Sequence, residues 1–135
     1  MMVLAILMSL ILGAVALLHV FWGFGIWLPI RDEAALTRAV VGARGVTRMP
    51  GPIPCFLVAL ALGLVIAALW TQGWMISRII LWLAIVVFLG RGLLAYTKHW
   101  RKMTPEEPFA TYDRRIYGPF CLMLAAGLAL TIFGG

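Results

Sequence analysis

Four long apolar runs divide this chain, and the polar intervals around them are electrically unequal. Nine of the eleven Lys and Arg residues fall in just two of the five intervals. A run of about 20 apolar residues is the length of a helix that crosses a bilayer. Inside lipid, only a helix or a closed barrel satisfies its own backbone polar groups. The pattern therefore predicts an all-α integral membrane four-helix bundle: a single four-span domain over residues 1–135, with spans near residues 2–28, 53–70, 79–96 and 116–133. Composition agrees, since 64% of residues are hydrophobic and only 12% charged, against about a quarter charged in soluble domains.

The cation census sets an expected orientation. The first loop holds Arg31, Arg38, Arg44 and Arg48, and the third holds Lys98, Arg101, Lys102, Arg114 and Arg115. The connection between spans two and three has only Arg78. Lys and Arg are retained on the cytoplasmic side during insertion, so loops one and three are expected inside and both termini outside. The net charge of +6 flanks membrane segments, which points to anionic headgroups as partners and not to nucleic acid. Lys98, Arg101, Arg114 and Arg115 are the expected headgroup contacts. Ala14-Val15-Ala16 resembles a signal cleavage site, but no cation precedes it and the apolar stretch runs on, so an uncleaved span is expected. Trp27 and Trp100 fall at the expected inner interface, and Trp70, Trp74 and Trp82 at the outer one, as amphipathic rings prefer.

Local signals add detail. Asp32 to Val41 has helical spacing and ends at Gly42, a C-cap that predicts a surface helix. Thr104-Pro105-Glu106-Glu107 reads as a helix start. Ser9, Gly13, Ala16, Val20 and Gly23 form a small-residue stripe on span one, and Cys55, Ala59, Gly63 and Ala67 form another on span two. Such stripes let membrane helices approach closely.

Ionisable groups within spans are costly and are functional candidates by default. His19 lies about nine residues from the inner end of span one, roughly 13 Å deep. It shares a face with Trp22. Arg91 stands between Gly90 and Gly92, which would suit another backbone or a ligand nearby. Asp113, Tyr117 and Cys121 follow at four-residue spacing and are expected to share a face. His19, Trp22, Arg91, Asp113 and Tyr117 are thus expected at one inner level, as a polar cluster that binds a ligand. Bland roles compete: packing for His19, a snorkelling anchor or an ion pair with Asp113 for Arg91, and a helix cap for Asp113. His19, Cys55 and Cys121 include no closely spaced ligand pair, so no metal site is expected. No phosphate-binding glycine loop or hydrolase elbow occurs, and the sequence leaves any cofactor unknown.

His19-Val20-Phe21-Trp22-Gly23-Phe24-Gly25 resembles the His-x-x-Trp-x-x-Gly signature of a family of small bacterial four-span proteins. Met49-Pro50-Gly51-Pro52, Arg91, Phe109 and Asp113-Arg114-Arg115-x-Tyr117-x-Pro119 look similar too. The family is catalogued as domain of unknown function 3995, and the resemblance covers nearly the whole chain. It implies a four-helix fold in the bacterial cytoplasmic (inner) membrane and no particular activity. The charged Asp32–Arg48 segment departs from the family pattern. Three functions stay open. The first is a non-catalytic protein that binds a lipid, quinone or other hydrophobic small molecule, or is an accessory subunit of a larger membrane complex. The second is an enzyme using His19 and Asp113 as acid and base on an apolar substrate. The third is a small transporter or oligomeric channel, for which the spans offer few lining polar groups.

Overall fold

A computed structural model describes residues 2–134. It is helical, with no strand among the described residues: α1 (Met2–Gly23), α2 (Glu33–Val40), α3 (Pro52–Trp70), α4 (Met75–Leu94), α5 (Lys98–Met103), α6 (Phe109–Tyr112), a π turn (Asp113–Tyr117) and α7 (Gly118–Phe133). Four stretches are long and apolar enough to cross a membrane, the last running continuously from Phe109 to Phe133. The shortest, 19 residues, extends about 28 Å at 1.5 Å per residue, close to the hydrocarbon thickness. The protein is therefore a multi-pass membrane protein.

The ends of the spans have local causes. Span one stops at Gly23, short of the expected Leu28, because Gly25 takes φ +77° and closes a Schellman cap. In that cap Ile26 N–H donates to Phe21 O and Gly25 N–H to Trp22 O. The third span starts at Met75 instead of Ile79, since the chain is already helical where Arg78 sits in the first turn. α2 forms much as its spacing predicts, with the Asp32 carboxylate accepting from Ala35 N–H and Gly42 at positive φ beyond its end. The expected helix start at Thr104 does not form. Thr104 ends α5, its hydroxyl donating to Trp100 O, and helix resumes only at Phe109, beyond Pro108.

α1 packs along α3 and α4 along α7, with α3 against α4; α1 and α7 touch less. The small stripe on α1 faces α3. Ser9 accepts from the Trp70 indole (3.0 Å), and a methyl on Gly23 would sit 2.6 Å from the Phe56 ring. The stripe expected on α3 is not an interface along its length, since Gly63 and Ala67 are exposed; α3 buries Cys55, Leu62, Val65, Ala68 and Leu69 instead. α4 and α7 cross at Gly92 and Gly118, and a methyl on Gly92 would lie 2.9 Å from Gly118 O. Leu12, Leu81, Leu124 and Leu128 are almost fully enclosed at the centre. Large apolar side chains such as Leu10, Leu60, Leu83, Val87 and Met123 cover the outside, as contact with acyl chains requires.

The loops α1–α3 and α4–α7 meet at one end, which carries all five acids and nine of the cations. Glu106 N–H donates to Gly42 O (3.1 Å), Gly45 N–H to the Glu106 carboxylate (3.1 Å), and Arg44 reaches Lys102 O (3.5 Å). This is the basic end.

Candidate functional site

The site begins with a defect in the fourth span. Pro119 has no N–H to give the carbonyl one turn back, and an ordinary helix would lose a bond there. The chain widens just before it: Gly118 N–H donates to Asp113 O, five residues back. Such π turns are uncommon and concentrate at functional sites. The expected shared face of Asp113, Tyr117 and Cys121 is only partly met. Tyr117 and Cys121 face a cavity, and Asp113 does not.

Asp113 is completely buried against α4 and α5. Its Oδ1 accepts from Arg91 Nη2 (2.7 Å). Its Oδ2 accepts from the Trp100 indole (2.8 Å) and from Arg101 Nη2. The Arg91 guanidinium also lies over the Trp100 ring, 5.2 Å from its centroid. Arg101 donates further to Ala110 O (2.9 Å) and Thr104 Oγ1 (3.2 Å). Arg101 therefore corrects the headgroup expectation, for its guanidinium is used inside the protein. Trp100 likewise serves this cluster and is only partly exposed. Lys98, Arg114 and Arg115 remain exposed at the basic end.

Sequence reasoning missed Trp100 and Arg101 as members. A signal was available: a buried carboxylate has about four acceptor sites, more than Arg91 alone fills. α5 supplies the rest. It is set in place by Thr97, whose hydroxyl accepts from Trp100 N–H (3.3 Å).

Beside the cluster lies a cavity of about 700 Å³, bounded by α1, α2, α3, α4 and the fourth span. Leu12, Val15, Phe88, Phe120 and Leu124 line its deeper part, and Leu36 and Ala39 of α2 cover it toward the basic end. Exposed Tyr112 and Ile116 stand among its lining. Its polar groups come from His19, Trp22, Arg91, Tyr112, Tyr117 and Cys121, so four of the five expected site residues share one wall system. The fifth, Asp113, stands behind Arg91.

The hydrogen bonds fix what each group still offers. His19 Nδ1 lies 2.8 Å from Val15 O; a carbonyl only accepts, so Nδ1 carries a proton and, in the neutral ring, Nε2 is an acceptor. The Trp22 indole donates to Leu28 O (2.7 Å), and its ring packs on His19 with centroids 4.8 Å apart. Tyr117 donates to Ala39 O (2.8 Å), tying α2 to the fourth span, and keeps its oxygen lone pairs. His19 and Trp22 also border a smaller cavity of about 180 Å³, closed by Met49, Pro50, Pro54 and Cys55. The His-x-x-Trp and Met-Pro-Gly-Pro motifs thus meet there in space.

The arrangement does not present His19 and Asp113 to one substrate, because Asp113 is enclosed and already holds three donors. Among the described residues no three His, Cys, Asp or Glu side chains converge as metal ligands.

The model of the family described as "Protein of unknown function (DUF3995)" matches residues 12–128. The chain belongs to this family. The match takes in every residue of the charge cluster and cavity named above. No curated protein and no solved structure matches this DUF3995 protein.

Proposed function

We propose that this DUF3995 protein is a non-catalytic membrane protein that holds one small hydrophobic molecule within its bundle. The observation that supports this reading is the cavity itself. At about 700 Å³ it falls within the usual 300–1,000 Å³ of ligand pockets, which are mostly apolar with a few placed polar groups. Here the polar groups gather toward the basic end, so a bound molecule lies with its chain among Leu12, Val15, Phe88 and Leu124 and its polar end near His19, Trp22, Arg91 and Tyr117. The bacterial inner membrane, with the basic end in the cytoplasm, is the setting that the cation census favours.

The test is purification in mild detergent, extraction and mass spectrometry of what remains bound. Cys121→Trp places a large ring in the cavity. A reproducible small molecule that is lost from C121W, with helicity and melting unchanged, is the expected result. A protein partner in place of any small molecule, or a molecule equally retained by C121W, refutes the reading; the former outcome would favour an accessory subunit.

A further inference from the structure

We infer that the molecule held in the cavity is a single-chain amphiphile with an anionic head, its carboxylate or phosphate oxygens seated toward Arg91. The inference rests on the hydrophobic-binding reading above and adds the charge and size of the ligand.

The charge comes from counting. Arg91 and Arg101 share one carboxylate, Asp113, and these are the only ion pairs among the described residues. The other acids are engaged elsewhere. Glu33 accepts from Met49 N–H, Glu106 from Gly45 N–H, Glu107 from Thr111, and Asp32 from Ala35 N–H. Two guanidiniums and one carboxylate leave one positive charge uncompensated in the cluster, whose Arg91 borders the cavity. An unbalanced charge in a water-poor interior is costly until a counter-charge arrives.

Arg91 does not meet the need by snorkelling. Its Nη2 is held by Asp113 and its guanidinium lies over Trp100, while 29% of the side chain stays accessible. Trp22 and Tyr117 have both committed their protons to backbone carbonyls, so Arg91 is the cationic donor that borders the space. Anionic oxygens are the chemistry a guanidinium recognises best.

The size follows from volume. At about 30 Å³ per water-sized group, a cavity of about 700 Å³ takes roughly 20–25 heavy atoms. That accommodates one acyl or isoprenoid chain with a small head.

The experiment uses the whole protein in neutral phosphatidylcholine nanodiscs at pH 8, in a Cys55→Ala background. Cys121 lines the cavity, so protection from a membrane-permeable maleimide reports occupancy. Two matched pairs are titrated: tetradecanoate against tetradecanol, and a monoacylglycerol phosphate against the monoacylglycerol. Each acid should protect at about ten-fold lower concentration or better than its neutral counterpart, and the pair with the larger gap identifies a carboxylate or a phosphate head. R101Q neutralises the cluster without altering the cavity wall, so it should shrink the acid–neutral gap to about three-fold or less. Its neutral ligands should bind as before, whereas a merely structural effect would weaken acid and neutral alike. If R101Q does not fold, R91Q removes the contact itself and should likewise shrink the acid–neutral gap to about three-fold or less. Equal protection by acid and neutral compounds overturns the anionic head and leaves hydrophobic binding standing; protection by neither overturns both.

Discussion

Asp113→Asn is the most informative single change, because one atom alters the balance of the entire cluster. The carboxylate is fully enclosed and accepts from Arg91, Arg101 and Trp100. Asparagine keeps one acceptor but turns an N–H₂ toward a guanidinium and removes the only counter-charge of two arginines. Hydrogen bonds to charged groups contribute about 1.5–3 kcal/mol each. Breaking a buried pair from one side costs about 3–5 kcal/mol, so the loss for D113N should be about 4 kcal/mol. Near 135 residues, each kcal/mol moves Tm by roughly 3–5 °C, which predicts a fall of about 10–20 °C. R101Q should cost clearly less, since it leaves a neutral Arg91–Asp113 pair. The assay is denaturation by sodium dodecyl sulfate in mixed micelles, followed by circular dichroism and by tryptophan emission, with a thermal melt in parallel. A D113N protein within about 1 kcal/mol of the parent, or one more stable than R101Q, would refute this account of the charge cluster.

Three other outcomes follow from the geometry. Gly92→Ala should destabilise by about 1–3 kcal/mol, because its methyl would lie 2.6 Å from Leu122 and 2.9 Å from Gly118 O, while Gly90→Ala meets open space and should be neutral or stabilising in the same melt. His19→Ala should leave insertion and melting nearly unchanged, since its one hydrogen bond is within its own helix; collapse in detergent would assign His19 to packing. In intact cells of a C55A/C121A background, a cysteine replacing Arg48 should resist an impermeant maleimide and one replacing Arg78 should react, and the reverse pattern would invert the orientation.

The spans were legible because lipid imposes a coarse rule: four runs of apolar residues have to be four helices. Their ends were less so, since Gly25 ends α1 through backbone geometry that an apolar average ignores. The pairing of Arg91 with Asp113 could be anticipated from depth along each helix. Arg101 was misplaced because counting cations treats them as interchangeable surface charges, and a fully buried carboxylate draws one of them inward. The stripe on α3 misled for a similar reason. Small residues permit close approach without requiring it, and Gly63 meets nothing within 4 Å. The cavity had no linear signature, for its walls come from α1, α2, α3, α4 and the fourth span together.

The widened coil between Asp113 and Tyr117 takes up one residue more than a regular helix would use, and this sets where the span tolerates a change of length. The wide turn absorbs one extra residue, so dropping one there would restore a regular ladder with its flanks nearly in phase. A residue dropped from the regular helix between Gly118 and Cys121 would instead rotate everything before it by about 100° relative to the rest of α7. The carboxylate would swing off α5 while Cys121 kept its direction. Length can drift in the loops on either flank, but here the chain's phase is what holds a salt cluster on one side and a greasy chamber on the other.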